Sequence, residues 1–226
     1  MCPVNTIRAV IFDLDGVLVH TDHFHFVAWK ELADRNGWAF DESLNEQLRG
    51  VSRLESLDII LRANGVSLPA ASKATLAEDK NTRYRELLAS LGPCDVDARV
   101  LGALEALRRR GYRLAVGSSS RNAPFIIERL DIQAAFEVVV DGSMIERSKP
   151  DPEVFERAAH LLGLPTADCA VVEDAVAGVD AARAAGCWAI AVVESAAAGA
   201  DCYLDDLANL PAVLGGASAS VRPVPA

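Results

Sequence analysis

Two aspartates one residue apart, Asp13 and Asp15, end the apolar run Val10-Ile11-Phe12, and Gly16 follows them. A buried strand that stops in two carboxylates delivers both to its C-terminal tip, where open parallel sheets place their chemistry. Such a pair can divide labour: one carboxylate attacks or binds a cation, and the other moves a proton. Aspartates also close strands as plain turn formers, so residues 10–17 alone leave both readings open. A second acidic pair, Glu173-Asp174, ends the apolar stretch Cys169-Ala170-Val171-Val172. At neighbouring strand tips the two pairs would form a hard-oxygen site suited to Mg²⁺.

Two further groups supply the complementary charge. Ser118-Ser119-Ser120-Arg121-Asn122 follows Leu114-Ala115-Val116-Gly117 and precedes a helix signal. Hydroxyls, free backbone N–H groups and a cation at a helix start suit an anion, although helix capping accounts for the serines equally well. Lys149 stands between Ser148 and Pro150-Asp151-Pro152, a single lysine between a strand exit and a proline-started helix. By itself it also fits a solvated loop.

The elements that must position these residues come in two kinds. From Phe24 to Asn36, and again at about 42–48, 53–64 and 71–91, apolar residues recur at helical spacing, and no strand is apparent among them. Beyond Gly92-Pro93, helices at 98–110, 124–130, 151–162 and 176–185 alternate with strands at 113–117, 138–140, 169–172 and 188–193. The pattern predicts an α/β fold: a Rossmann-like parallel sheet core with an inserted α-helical cap. The expected boundaries are 1–20 and 95–215 for the core, 21–94 for the cap, and a disordered tail at 216–226, rich in Ala, Ser, Pro and Val.

Composition sets the bounds. Of the 226 residues 51% are hydrophobic, enough for a substantial core, and 22 Lys and Arg against 32 Asp and Glu leave a net charge of −10. That balance argues against an extended nucleic-acid footprint. The five cysteines are scattered, without metal-ligand or disulfide-framework spacing. No run is long and apolar enough for a membrane span, and no basic segment leads into an apolar one. A cytoplasmic monomer acting on a small substrate is expected, with no nucleic-acid and no membrane partner.

Taken together, Asp13-Leu14-Asp15-Gly16, Ser118, Lys149-Pro150 and Glu173-Asp174 resemble the haloacid dehalogenase-like superfamily of phosphoryl-transfer enzymes. The helical insert is similar to the small cap of one branch. Within it, His25-Phe26, Ala28-Trp29-Lys30, the stretch Asn45 to Arg53, Lys80-Asn81 and Tyr84 look like the β-phosphoglucomutase group.

The resemblance implies roles. Asp13 would be the nucleophile and Asp15 the general acid and base. Mg²⁺ would be held by Asp13, the Asp15 carbonyl and Asp174, with Glu173 as a nearer or more remote ligand. Ser118, the Ser119 N–H and Lys149 would stabilise the transferring phosphoryl group. Arg53, with Ser120, Arg121 and Asn122, would grip a distal phosphate. Gly50, Val51 and Ser52 would line the sugar site, His25 and Lys80 would position Asp15 or the sugar, and Trp29 is read as cap packing. The implied substrates are β-D-glucose 1-phosphate and glucose 6-phosphate, exchanged through β-glucose 1,6-bisphosphate. A sugar-phosphate phosphatase and a non-catalytic phosphate sensor are the alternatives. Two positions depart from the family pattern: His20 in place of aspartate, and Ala98-Arg99 in place of Pro-Gly. Both fall near the expected hinges.

Overall fold

The computed structural model describes residues 6–216. In chain order the elements are β1 (Ala9–Phe12), α1 (Asp22–Asn36), α2 (Glu42–Glu46), α3 (Arg53–Ala63), α4 (Ala70–Leu88), α5 (Ala98–Arg109), β2 (Arg113–Gly117) and α6 (Ala123–Arg129). They continue with β3 (Val138–Val140), α7 (Glu153–Leu161), β4 (Cys169–Glu173), α8 (Val176–Ala184), β5 (Trp188–Ala191), α9 (Glu194–Ala197), β6 (Cys202–Tyr203) and α10 (Leu210–Leu214).

The strands form one six-stranded parallel sheet in the order β3-β2-β1-β4-β5-β6. The order reverses at β1, and ligands of doubly wound sheets bind at such a switch point. β1 is apolar throughout because both faces of the sheet are covered. Val10 and Phe12 enter one buried cluster while Ala9 and Ile11 enter the other, and β4 alternates likewise, with Ala170 and Val172 against Cys169 and Val171. Burying each large apolar side chain there contributes about 1.5–3 kcal/mol. The covering helices follow the 3.6-residue period: α5 turns Val100, Ala103, Leu104 and Leu107 inward behind an Asp97 N-cap.

The interval between β1 and α5 contains helices and no named strand, and it builds its own cluster from Trp29, Leu32, Ala33, Phe40, Leu48, Leu57, Ile60, Leu61 and Ala77. Its base is joined to the sheet side, since Ala28, Tyr84 and Leu88 belong to the cluster containing Val10 and Phe12.

Most elements fall within two or three residues of the sequence expectation. The last strand of that reading is shorter than expected, ending at Ala191 rather than Val193, and α9, β6 and α10 follow it. The tail expected to be disordered lies, from residue 217 onward, outside the described residues. No described helix is long and apolar enough to cross a membrane.

Candidate active site

Register places the carboxylates. Phe12 pairs with Val172, and the Asp13 N–H continues the ladder by donating to the Val172 carbonyl at 2.9 Å, so Asp13 emerges beside Glu173. On the other side of β1, Phe12 pairs with Val116, and the Ser118 N–H donates to the Val140 carbonyl at 3.0 Å. Three strand tips thus bring Asp13, Ser118 and Glu173-Asp174 together. After Asp13 the chain folds back on itself, with Gly16 N–H donating to the Val19 carbonyl at 2.7 Å, which returns Asp15 to the same edge.

Lys149 is only 1% exposed, so the solvated-loop alternative does not hold. Its ammonium donates to both Asp13 and Glu173. The loop carrying it is pinned by the Glu153 carboxylate, which accepts from the Glu146 and Arg147 N–H groups at 3.0 and 2.9 Å. Burial opposes the lysine charge, but Asp13 and Glu173 outweigh it and hold the ammonium well above its ordinary range.

The carboxylates respond to the same crowding. Burial, then the Asp13 charge, pushes Asp15 up to about 7 and Asp174 up to about 8. Burial also raises Glu173 to about 7, against the pull of Lys149. Oxygens of Asp13, Glu173 and Asp174 lie within 4.8 Å of one another. This buried set of oxygen donors, with no nitrogen or sulfur, is deficient in cation and fits Mg²⁺ better than a soft metal.

Two glycines make room for the set. A Cβ on Gly178 would strike the Glu173 carboxylate, and one on Gly16 would strike that of Asp174. Gly16 also adopts φ +85°, which disfavours any L side chain. Gly16→Ala is therefore expected to displace Asp174, weakening Mg²⁺ binding at least about tenfold and costing about 1–2 kcal/mol of stability. Calorimetric Mg²⁺ titration and urea unfolding would check both effects.

The helical insert supplies the opposite wall of a cavity of about 450 Å³, lined among others by His25, Trp29, Gly50, Val51, Ser52, Arg53 and Lys80. Lys80 is 2% exposed, its Nζ 2.9 Å from His25 Nδ1 and 4.9 and 4.4 Å from the ring centroids of Trp29 and Tyr84. Burial, followed by the like charge of Arg53, holds Lys80 well below its ordinary range, while burial and Lys80 do the same to His25. Trp29 packs in the insert as expected, and its ring also faces that ammonium. Arg53 pairs with Glu78 at 3.0 Å, and the nearby Arg121 charge adds to burial in disfavouring its protonated form. Two guanidiniums, one from the insert and one from the sheet side, thus converge on the same cavity.

Several residues do more local work than the sequence suggested. Ser52 caps α3 in a reciprocal capping box with Glu55, so its hydroxyl is already engaged. The Ser118 and Ser120 hydroxyls accept from the Ser120 and Asn122 N–H groups at 3.1 and 3.2 Å and so tighten the loop before α6, but neither caps that helix, which starts behind Asn122 without a side-chain cap. Asn122 is buried and donates to Asn81 Oδ1 at 2.9 Å, tying the insert to the sheet side. Ser119 Oγ, by contrast, is buried without a hydrogen-bond partner among the described residues, as a group awaiting a ligand would be. His20 and Ala98-Arg99 are exposed, and Arg99 pairs with Asp97 at 2.6 Å.

The sequence pattern assigned no role to Thr21, Asp22 or Arg49, although Arg49 lies in the stretch Asn45 to Arg53 that carries the resemblance. Thr21, fully buried, donates to Asp15 and accepts from the Tyr84 hydroxyl at 3.2 Å. Arg49 reaches Asp174 at 3.1 Å and Asp22 at 2.8 Å.

Residues 7–186 match the haloacid dehalogenase-like hydrolase family. The chain belongs to that family. It is 42% identical over 187 residues to the β-phosphoglucomutase of Bacillus subtilis, a match covering 82% of this chain and 83% of that protein. It is 32% identical over 182 residues to the phosphorylated carbohydrates phosphatase of Thermotoga maritima, covering 79% and 82%. Among solved structures, β-phosphoglucomutase from Clostridium difficile superposes with a TM-score of 0.86 at 32% identity, covering 90% of this chain and 93% of that one.

Proposed function

We propose that this family member is a phosphosugar mutase interconverting β-D-glucose 1-phosphate and glucose 6-phosphate through phosphorylated Asp13 and β-glucose 1,6-bisphosphate. The observation that carries the reading is the second cationic pole. Arg53 from the insert and Arg121 from the sheet side line the same cavity as Lys149 and add two cations to the one that is already bonded to Asp13 and Glu173. Glu78 offsets part of the Arg53 charge, and a phosphate between the two guanidiniums would offset the rest. A bisphosphate needs two such poles, and hydrolysis of a simple phosphomonoester needs one.

In this reading a carboxylate oxygen of Asp13 attacks phosphorus as the bond to the sugar oxygen breaks. Asp15, held by Thr21, gives the departing oxygen its proton and takes one back when the other sugar hydroxyl attacks phosphorylated Asp13. Lys149, Ser118 and the Ser119 N–H balance the charge on the transferring group. Mg²⁺, held by Asp13, the Asp15 carbonyl and Asp174, with Glu173 as a nearer or more remote ligand, would add Lewis-acid neutralisation of the phosphoryl oxygens. Residues 21–94 act as a cap that closes over the sugar and excludes water from phosphorylated Asp13. His25 and Lys80 orient the sugar or Asp15 on closure, and Gly50, Val51 and Ser52 line the sugar site.

Arg53→Ala tests the second pole. It is expected to lower glucose-phosphate interconversion about 100-fold while changing hydrolysis of a small aryl phosphate only a few-fold, since a charge-assisted bond to the distal phosphate is lost. Equal losses on both substrates would remove Arg53 from distal-phosphate binding. The resemblance to the Thermotoga phosphatase keeps a second reading in view, a sugar-phosphate phosphatase using the same carboxylates.

A further inference from the structure

Arg49 stands where the helical insert meets the carboxylate cluster, and the proposed chemistry leaves it without a role. It lies in the turn after α2. Its Nε donates to Glu46 Oε2 at 2.9 Å, and its Nη1 lies 2.8 Å from Asp22 Oδ2 and 3.1 Å from Asp174 Oδ2. Glu46 and Asp22 belong to the insert and Asp174 to the sheet side, so within this network only the bond to Asp174 crosses the cleft. The Asp174 side chain is 7% exposed, which shields the pair from solvent more than a surface ion pair. Next to Arg49, Gly50 rests against the start of α8. A Cβ built there would lie 3.5 Å from the methyl carbons of Ala175 and Ala177.

We propose that Arg49 is a counter-cation to Asp174 that competes with the divalent ion and so couples metal loading to the seating of the insert. The inference rests on the reading that Asp13, Glu173 and Asp174 hold Mg²⁺. A guanidinium bonded to one ligand carboxylate satisfies part of the cluster's negative charge and repels an incoming dication. Once the ion holds Asp174, that repulsion turns on Arg49, which still has Glu46 and Asp22 as partners within the insert. It can therefore let go of the sheet side without leaving a bare charge. Linkage makes the effect reciprocal: the factor by which Arg49 weakens metal binding is the factor by which the metal weakens the Arg49–Asp174 tie. Metal loading thereby releases residues 47–52 from the sheet side, and their reseating falls to the substrate phosphates gripped by Arg53 and Arg121. Arg49 is a positioning residue in this scheme, acting through Asp174 and the insert.

The test uses chelator-stripped full-length protein and Mg²⁺ itself as the probe, without substrate. Arg49→Gln is expected to bind Mg²⁺ roughly tenfold tighter than wild type by calorimetry, because a cation a few ångströms from a dication has been removed. Amide hydrogen exchange in residues 47–52 is expected to rise when Mg²⁺ is added to wild type. In Arg49→Gln it is expected to be high already and indifferent to Mg²⁺. Wild-type and Arg49→Gln proteins that bind Mg²⁺ equally, or weaker binding by the variant, would overturn the proposal. So would exchange that Mg²⁺ leaves unchanged in wild type. Asp174→Asn separates the two levels of argument. If wild type binds no Mg²⁺, or Asp174→Asn binds it as tightly as wild type, the metal site itself is wrongly placed and the proposal falls with it.

Discussion

Asp13→Asn is expected to lower phosphoryl transfer by about four orders of magnitude or more, leaving no phosphorylated protein after incubation with labelled sugar phosphate. The amide matches the carboxylate in shape but cannot serve as the nucleophile, and it surrenders a metal oxygen as well. The loss should not come from unfolding. Asp13 is one of several crowded carboxylates, and its charge helps raise Asp15 and Asp174, so its neutralisation relieves repulsion. Lys149 keeps Glu173 as a partner. A thermal midpoint held or raised, together with abolished transfer, is the expected signature. Substantial residual transfer in the purified variant would remove Asp13 as nucleophile.

Lys149→Met is expected to have a large effect of the opposite kind, striking stability and rate together. It removes the buried ammonium bonded to Asp13 and Glu173 and leaves both carboxylates without that cation. Breaking a buried pair from one side costs about 3–5 kcal/mol. Loss of a donor to the transferring phosphoryl group lowers the rate a further 10²–10³-fold or so. Urea unfolding in chelator should show the full loss, and added Mg²⁺ should restore part of it by supplying positive charge to the same carboxylates. Unchanged stability in chelator would mean that Lys149 does not neutralise the cluster. The contrast between these two variants, one neutral or stabilising and the other destabilising, follows from which side of the charge imbalance each removes.

The sheet and its tips were legible in the sequence because strands buried on both faces read as unbroken apolar runs. β1 and β4 each stop abruptly in carboxylates, so Asp13 and Glu173-Asp174 stood out. β6 was not legible: Cys202–Tyr203 pairs on one side only and is too short to show a period. The Arg49 contact with Asp174 was not legible for a different reason. With Glu46 three positions earlier Arg49 looks like half of an ordinary helix-surface pair, and its decisive partner lies 125 residues away. Ser52 went the other way. Ser52-Arg53-Leu54-Glu55 carries a capping-box signal, yet the resemblance drew attention to the sugar instead. Asn122 was read as a phosphate ligand, but its contact with Asn81 depends on how the insert folds back over the sheet, which no local pattern encodes.

Both readings, mutase and phosphatase, use the same carboxylates and Lys149, so they differ in the acceptor of the phosphoryl group. The two guanidiniums and the insert that carries one of them bear on that choice. The most direct measurement follows β-D-glucose 1-phosphate with Mg²⁺ and a trace of β-glucose 1,6-bisphosphate, recording glucose 6-phosphate and inorganic phosphate in the same reaction. Glucose 6-phosphate formation that the bisphosphate stimulates, with phosphate release a small fraction of turnover, is the expected result. Steady phosphate release with no glucose 6-phosphate would contradict the mutase reading.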